Sequence, residues 1–316
     1  QMPAIALTDH GTIAGIPEFC KEIKSSKTGI KPILGCELYI SNFSATIQEP
    51  YNRILSHLVV LAKNLEGWKK LIQIVSASNK HENFYHKPRL SLEQLAEFVD
   101  GNLIAFSGHI GSDLANITFG NNYKEAYNSR TYEEARAFVD TDWEKKLKKK
   151  INQYTEIFGV ENFFLEIQTL DQDNVPASLI VAKILRHLSK STGVQCLATG
   201  DAHYAFPEDA ADQRLILCNK FETTLKLVKE QIENDEDITL GTFFRSNKYC
   251  IPTFQMMQQS NTEEELKNTL LVADMCEKYE INSPPLLPNF PDTNGMSADD
   301  YLTHLLREGW KKKIQG

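Results

Sequence analysis

The sequence has 316 residues, of which 41% are hydrophobic and 24% are charged, as in an ordinary soluble globular protein. This length fits one large α/β domain with a smaller appendage. The net charge of −8 argues against a surface that binds nucleic acid through bulk electrostatics, so any DNA contact should be local. No apolar run approaches the ~20 residues of a membrane span. The scattered cysteines lack a C-x-x-C pair, so we expect a cytoplasmic protein with reduced thiols.

The first two thirds of the chain alternate short apolar runs with amphipathic stretches. The apolar runs predict strands at residues 5–7, 31–40, 57–62, 103–106, 163–167 and 194–204. Helices are predicted at residues 14–25, 65–78, 143–158 and 176–191. This alternation predicts an α/β layer or barrel with parallel strands, whose working residues collect at the carboxyl ends of the strands. Residues 116–142 are polar and poorly patterned, and we expect them to leave the core.

Helices dominate after residue 206, at residues 210–219, 223–234 and 263–279. A proline-rich stretch, which cannot be helical, separates them from a last helix at residues 297–313. We therefore expect a barrel over residues 1–206 and a helical part over 207–283. A linker over 284–296 and a final helical segment over 297–316 follow.

Histidines and carboxylates lie at the ends of several predicted strands. Asp9 and His10 follow the first strand, and Asp201 and His203 lie in the last one. If that strand continues through Tyr204, its alternation places Asp201 and His203 on one face. A carboxylate beside an imidazole provides two ligands for a hard-to-borderline metal. The candidate ligands are His10, Glu37, His57, His109, Asp201 and His203.

Several imidazoles with two carboxylates suit zinc, manganese or iron better than calcium or magnesium. Two or three such ions would activate a bridging water and polarise a phosphoryl oxygen, which predicts phosphoester hydrolysis. Each residue alone has a structural alternative, such as a hydrogen-bonded histidine or a surface carboxylate. We expect Asp9 to orient a ligating histidine. Lys87 and Arg89 either clamp a phosphate or only stabilise their loop.

Five motifs together resemble one known family. They are Ala6-Leu-Thr-Asp-His-Gly11, Gly35-Cys-Glu-Leu-Tyr39, His57-Leu-Val-Val-Leu-Ala-Lys-Asn64, Phe84-Tyr-His-Lys-Pro-Arg89 and Ala198-Thr-Gly-Asp-Ala-His-Tyr204. This combination resembles the PHP (polymerase and histidinol phosphatase) domain of bacterial replicative DNA polymerase III α subunits. The Lys-Pro-Arg loop and the tail of the chain resemble the polymerase branch of this family. In particular, the segments 284–291 and 301–309 resemble the junction at which that domain leads into the polymerase palm.

The resemblance implies a distorted (β/α)7 TIM-like barrel of the PHP type, followed by a helical segment and the start of a polymerase palm. It implies two to three divalent ions bound by the six candidate ligands, with Glu37 bridging two of them. The family's opening His-x-His motif, and a further histidine, are expected to precede Gln1. His109 stands where many polymerase relatives have cysteine, which favours a site that hydrolyses.

The resemblance also implies a function. We expect the N-terminal PHP part of a DNA-directed DNA polymerase, whose catalytic aspartates would follow Gly316, with metal-dependent 3′–5′ exonuclease activity. DNA, a proofreading exonuclease subunit and other replisome subunits are the expected partners. One alternative is a catalytically silent scaffold that docks the proofreading subunit. Another is a stand-alone PHP phosphatase of small phosphoesters, which would not need the palm-like tail over residues 207–316.

Overall fold

The structure is a computed structural model that describes residues 2–234, 236, 241–286, 290 and 293–314. The chain divides into two compact units, Gln1–Tyr279 and Glu280–Gly316. The first unit contains one large sheet with its helices, and the second contains a single described helix. The finer division at residues 206, 283 and 296 stays a prediction. Positions 287–289 and 291–292 of the predicted linker, and 315–316 of the last segment, lie outside the described residues.

The elements of the described chain alternate between strand and helix through most of the first unit. The strands are β1 (Ala4–Leu7), β2 (Lys31–Ser41), β3 (Leu55–Ala62), β4 (Phe84–Tyr85), β5 (Lys87–Pro88), β6 (Leu90–Ser91), β7 (Leu103–Phe106), β8 (Phe163–Ile167) and β9 (Cys196–Ala198). The helices are α1 (Ile16–Ser26), α2 (Leu65–Ser78), α3 (Leu92–Ala96), α4 (Asp113–Phe119), α5 (Tyr123–Asn128), α6 (Tyr132–Ala137), α7 (Trp143–Phe158), α8 (Pro176–Thr192), α9 (Ala210–Lys220), α10 (Leu225–Glu233), α11 (Gly241–Arg245), α12 (Phe254–Gln258), α13 (Glu263–Met275) and α14 (Ala298–Ile314).

The large sheet has the strand order β1-β2-β3-β7-β8-β9, with β6 pairing beside β2, and it curls into a half-barrel. The predicted α/β barrel class is confirmed, but the prediction that all strands run parallel is wrong. β3 is antiparallel to both of its neighbours, whereas the remaining pairs along this order are parallel. The reason is the connection between β2 and β3, which contains only the 3-10 turn Pro50–Arg53. Without a crossover helix, the next strand pairs antiparallel.

The reversal of β3 matters for the edge where the other strands end. A strand that runs backwards begins at the edge where its parallel neighbours finish. His57, near the start of β3, therefore lies opposite Tyr39, near the end of β2. His57 opens its predicted strand instead of following it, and the direction of β3 explains why it still lies at this edge.

One face of the sheet carries a buried apolar cluster. Its buried side chains come from every long strand of the sheet and from α13: Ile33, Val59, Leu61, Ile104, Phe106, Phe164, Leu197, Val272, Ala273 and Cys276. Burial of a large apolar side chain stabilises the fold by about 1.5–3 kcal/mol. The ammonium of Lys31 donates hydrogen bonds to the carbonyl oxygens of Ala273 and Cys276, which anchors the end of α13 at the start of β2. Because side chains alternate along a strand, Glu37 and His57 lie on this same face, beyond the core residues Ile33 and Val59.

Residues 116–142 do not leave the core, so that prediction is wrong. They form most of α4 and all of α5 and α6, which pack against α7 and α8. Their buried apolar side chains are Phe119, Ala126 and Ala135. Short helices that bury alanine give little hydrophobic periodicity, which explains why the sequence pattern failed to show them. A capping box of Thr131 and Glu134 begins α6.

No helix among the described residues is both long enough and apolar enough to cross a membrane.

We predict that Gly67→Ala destabilises the protein, although alanine favours an isolated helix by about 1 kcal/mol. Gly67 lies in α2, and a Cβ atom there would overlap the backbone carbonyl oxygen of Asn102. The same oxygen accepts a hydrogen bond from the Lys63 N–H, so it cannot move freely. We expect a loss of about 1–3 kcal/mol in the free energy of unfolding, measured by urea denaturation.

The matched control is Gln73→Ala on the exposed side of α2, which should change the free energy of unfolding by less than about 0.5 kcal/mol. A Gly67→Ala protein as stable as the unmodified chain would contradict the close packing described for this helix.

Candidate metal centre

The six predicted ligands meet at one edge of the sheet. His10 follows β1, Glu37 lies in β2, and His57 lies near the start of β3. His109 follows β7, and Asp201 and His203 follow β9. Parallel strands bring their carboxyl ends to one edge, and the reversed β3 adds its amino end there.

Glu37 is the centre of this cluster. Its Oε1 atom lies 2.5 Å from Nδ1 of His57 and 3.1 Å from Nε2 of His109. Its Oε2 atom lies 3.4 Å from Nδ1 of His10. The ligand atoms of His10, Glu37 and His57 all lie within 4.8 Å of one another. One carboxylate among three imidazoles is a donor set that suits zinc, manganese or iron, so the residues present fit such an ion.

The protonation of Glu37 and His10 suits a metal site, but that of His109 does not. Burial would lower the pKa of His109, but the hydrogen bond with Glu37 outweighs it and raises this pKa to about 9, so His109 must lose a proton to bind a metal. Burial would raise the pKa of Glu37, but hydrogen bonds from His109 and His57 outweigh that cost and hold its pKa far below the usual value. The carboxylate is therefore ionised. Burial lowers the pKa of His10, which favours the neutral ring that binds metals.

Backbone pairing fixes His10 beside Glu37. The Gly11 N–H donates to the carbonyl oxygen of Glu37 (2.9 Å), and the Glu37 N–H donates to that of Asp9 (3.0 Å). These bonds extend the β1–β2 pairing to the two ligand positions. The His10 ring also stacks on Tyr39, with ring centroids 5.9 Å apart. Asp9 contacts the site through its backbone carbonyl, so the role of its carboxylate in orienting a histidine stays a prediction.

A glycine-rich turn after β7 positions His57 and His109. The Gly111 N–H donates to Nδ1 of His109 (3.0 Å), and the His57 N–H donates to the carbonyl oxygen of Gly111 (3.1 Å). Gly108 has a φ of +81°, and a Cβ atom at this position would contact the carbonyl oxygen of His57 at 2.5 Å. Only glycine fits there, because both the positive φ and the close approach exclude a side chain.

Asp201 and His203 come together differently from the prediction. β9 ends at Ala198, and Asp201 has a left-handed φ of +50°, so strand alternation does not align the two side chains. Aspartate tolerates the left-handed backbone that this turn requires. His203 donates from Nδ1 to the carbonyl oxygen of Asp201 (2.8 Å), which leaves Nε2 as the acceptor nitrogen. Its ring lies 6.2 Å from that of His10.

Sequence reasoning missed Glu166, a buried carboxylate in β8. Its side chain lies on the core-bearing face and is only 4% exposed. Oε1 accepts hydrogen bonds from Oγ1 of Thr199 (2.6 Å) and Nε2 of Gln168 (3.1 Å). Oε2 has no hydrogen-bond partner among the described residues. Burial raises the pKa of Glu166 to about 7, although the Thr199 bond opposes it. The signal in the sequence was one glutamate inside the apolar run of residues 163–167.

The two basic residues of the Lys-Pro-Arg loop differ in their contacts. The ammonium of Lys87 lies 4.3 Å from the ring centroid of Tyr39, the residue that stacks on His10. Burial, and then the charge of Lys220, lower the pKa of Lys87, while Glu37 acts in the opposite direction. Arg89 is 1% exposed and donates to the carbonyl oxygen of Asn52. Arg89 therefore stabilises its loop, and Lys87 is left as the phosphate-binding candidate.

Comparisons with known proteins identify the family to which the chain belongs. The PHP domain family matches residues 1–170, more than half of the chain, and the chain belongs to this family. The resemblance inferred from the motifs is confirmed.

The curated relatives include several bacterial polymerase subunits. DNA polymerase III subunit alpha of Borreliella burgdorferi is 32% identical over 320 residues, which cover 98% of this chain and 24% of that protein. The subunit of Treponema pallidum is 30% identical over 314 residues, covering 97% and 23%. That of Thermus aquaticus is 29% identical over 314 residues, covering 96% and 22%. The chain thus spans about a quarter of the length of these relatives.

We predict a pH-dependent stability difference between the unmodified chain and Glu166→Gln. The folded chain keeps a proton on Glu166 up to a pKa of about 7, compared with 4.5 for an ordinary glutamate. Its contribution to stability is complete below pH 4.5 and is lost as the pH rises through about 7. Relative to the variant, the unmodified chain should lose about 3 kcal/mol of unfolding free energy across this range.

Urea denaturation at several pH values, with a chelator present, measures this difference. Glu156→Gln, at an exposed position, is the control for replacing a carboxylate with an amide. A difference between the unmodified chain and Glu166→Gln that stays constant with pH would show that the buried carboxylate does not hold a proton near neutrality.

Proposed function

We propose that this chain acts as the N-terminal PHP region of a DNA polymerase III α subunit, and that its PHP domain is a metal-dependent phosphoesterase. The proposed reaction is hydrolysis of the phosphodiester at a DNA 3′ end, a 3′–5′ exonuclease activity. The observation that carries it is the buried Glu37 carboxylate with three imidazole nitrogens within 3.4 Å.

The proposed cofactor is a group of two to three divalent ions of zinc, manganese or iron. The residues that would bind them are His10, Glu37, His57, His109, Asp201 and His203. Mixed nitrogen and oxygen donors favour these metals over calcium and magnesium. Such ions, when bound, lower the pKa of a coordinated water and polarise a phosphoryl oxygen.

The chain's own residues have distinct tasks in this reaction. The low pKa of Glu37 keeps its carboxylate charged, so it can bind cations without first losing a proton. Lys87 would bind a non-bridging phosphate oxygen, because its ammonium lies over Tyr39 and is close enough to Glu37 for that carboxylate to act on its pKa. The bond from His203 Nδ1 to the Asp201 carbonyl directs Nε2 to the ligand role.

The polymerase setting is supported by the extent of the similarity. It covers 96–98% of the chain in the relatives named above, including the tail after residue 206. A stand-alone phosphatase of small phosphoesters would not account for that tail. DNA, a proofreading exonuclease subunit and other replisome subunits are the proposed partners, in the cytoplasm. The net charge of −8 restricts DNA contact in this region to local sites.

We predict that His109→Ala and Asp201→Asn each lower both bound metal and hydrolysis. Each substitution removes a ligand without touching the core, so hydrolysis should fall by about 100-fold or more. Metal content is measured by elemental analysis after dialysis against manganese or zinc. Hydrolysis is measured as release of the 3′ nucleotide from a labelled oligonucleotide.

His187→Ala is the matched control, since His187 is 60% exposed on α8 and lies beside Glu144. It should retain metal and activity. A protein that includes the residues before Gln1 and is folded, metal-free and inactive would overturn the nuclease proposal and support a scaffold that docks a proofreading subunit. Metal binding without hydrolysis would indicate that the metal site is structural and would contradict the phosphoesterase activity.

We predict that Lys87→Met weakens substrate binding more than it slows turnover. The ammonium contacts the ground-state phosphate as well as the transition state, so its loss should raise KM by about tenfold with a smaller change in kcat. Lys80→Met, at an exposed position seven residues earlier, is the control. An unchanged KM would assign Lys87 to loop structure only.

A further inference from the structure

The loop between β2 and β3 exposes large apolar side chains to solvent. Phe43 is 49% exposed, Tyr51 56% and Ile54 72%. The rings of Phe43 and Tyr51 pack edge to face, with their centroids 5.2 Å apart. Exposed apolar side chains that lie together, unlike scattered single ones, mark binding surfaces. This loop is therefore a candidate contact surface for a ligand or partner.

Hydrogen bonds beneath the surface fix the conformation of this loop. Asn52 is fully buried, and its Oδ1 atom accepts a hydrogen bond from Oγ of Ser41 (2.5 Å). Its side-chain nitrogen donates to the carbonyl oxygens of Ser44 (3.1 Å) and Ile47 (2.8 Å). Arg89 donates to the carbonyl oxygen of Asn52. Because the loop is already ordered, a ligand that contacts its exposed rings loses less binding free energy to ordering them.

The loop adjoins the hairpin of β4 and β5, which in turn adjoins the candidate metal centre. Nε and Nη2 of Arg53 donate to the hydroxyl oxygen of Tyr85, at 3.2 and 3.0 Å. The hairpin packs on the residue that follows His10, since a Cβ atom at Gly11 would lie only 2.7 Å from Cγ of Pro88. The loop and the hairpin thus form one surface that reaches the histidine cluster.

The charge of these two segments is opposite in sign to that of the whole chain. Residues 41–56 and 79–91 contain more cations than carboxylates, namely Arg53, Lys80, Lys87 and Arg89 against Glu49 and Glu82. The chain as a whole carries a net charge of −8. The surface therefore complements an anionic ligand.

Two of these cations have aromatic partners and no acidic ones. Arg53 bonds with the hydroxyl of Tyr85, and the Lys87 ammonium lies 4.3 Å from the ring centroid of Tyr39. Neither forms an ion pair with a carboxylate in the part of the chain that the structure describes. An apolar protein surface placed here would bury these charges without compensation. Exposed rings beside unpaired cations are instead typical of surfaces that bind single-stranded nucleic acid.

We propose that this surface, the aromatic platform of Phe43, Tyr51, Arg53, Tyr85 and Lys87, binds single-stranded DNA beside the metal centre. Unpaired bases stack on the exposed rings, and the two cations contact the phosphates between the bases. Duplex DNA binds more weakly, because its paired bases are stacked on one another and do not offer their faces. The placement of the 3′ end at the histidine cluster rests on the proposed phosphoesterase function.

Fluorescence anisotropy of a labelled oligothymidylate of about 12 nucleotides, with a chelator present, tests the aromatic platform. Tyr51→Ala and Phe43→Ala should each weaken binding by about fivefold or more, because a base loses its stacking partner. Phe254→Ala, which removes an exposed ring on α12, is the matched control and should leave binding unchanged. All three side chains are exposed, so the variants should fold.

Three results would overturn the proposal. The first is equal binding of the oligothymidylate by Tyr51→Ala, Phe43→Ala and the unmodified chain. The second is equally tight binding of the matching duplex. The third is an unmodified chain that does not bind the oligothymidylate, which would leave the exposed rings to a protein partner.

The role of Arg53 is tested through the salt dependence of the same binding. Each phosphate neutralised on a single strand contributes about 0.7 to the slope of log affinity against log salt concentration. Arg53→Gln should therefore reduce this slope by about 0.7. Arg136→Gln, at an exposed position of α6, should leave the slope unchanged. An unaltered slope for Arg53→Gln would contradict the phosphate contact.

The two proposals fail in different ways. DNA binding that requires Tyr51, in a protein that includes the residues before Gln1 and hydrolyses no phosphodiester with any metal, would contradict the phosphoesterase alone. In an active protein, Tyr51→Ala should slow release of the 3′ nucleotide from an oligonucleotide. It should not slow hydrolysis of bis(p-nitrophenyl) phosphate, which is too small to contact the aromatic platform. Release of the 3′ nucleotide at an unchanged rate would contradict the platform alone.

Discussion

The buried carboxylate of Glu37 is the constraint that the rest of the structure satisfies. A charged group in the interior costs several kcal/mol unless partners surround it. Here three imidazoles from separate elements approach within hydrogen-bonding or ion-pair distance. Their approach requires the pairing of β1 with β2, the antiparallel β3, and the tight turn after β7.

The same sheet face serves two purposes along its length. The apolar residues of β2, β3, β7, β8 and β9 pack against α13 towards one edge, and the polar residues gather towards the other. Glu166 lies within this polar region, where Thr199 links it to the turn that carries Asp201. The residues of the apolar cluster and the candidate ligands on the same strand are thus only two to four residues apart. A substitution near the boundary, at Val59 or Phe164, would affect both.

Much of the fold and of the candidate site could be predicted from the sequence, because short local motifs indicate both. The pairing of histidine with aspartate indicated two of the places where candidate ligands lie, and the apolar runs located the long strands. The direction of β3 could not be predicted, since alternation is the same in both directions. Asp201 was misplaced because strand periodicity cannot show where a left-handed residue ends a strand. Glu166 was overlooked because its significance depends on burial beside Thr199 and Gln168, a contact made only in the folded chain.

The anchoring of α13 by Lys31 has a consequence for the synthesis of the protein. The lysine and the helix carbonyl of Ala273 that it contacts are separated by 242 residues. At a translation rate of about 5–20 residues per second, the ribosome needs roughly 12–50 seconds to bridge that gap. Throughout this interval the apolar face of the sheet has no covering helix. The apolar strand residues that α13 covers in the folded protein therefore stay exposed until this last core element is synthesised.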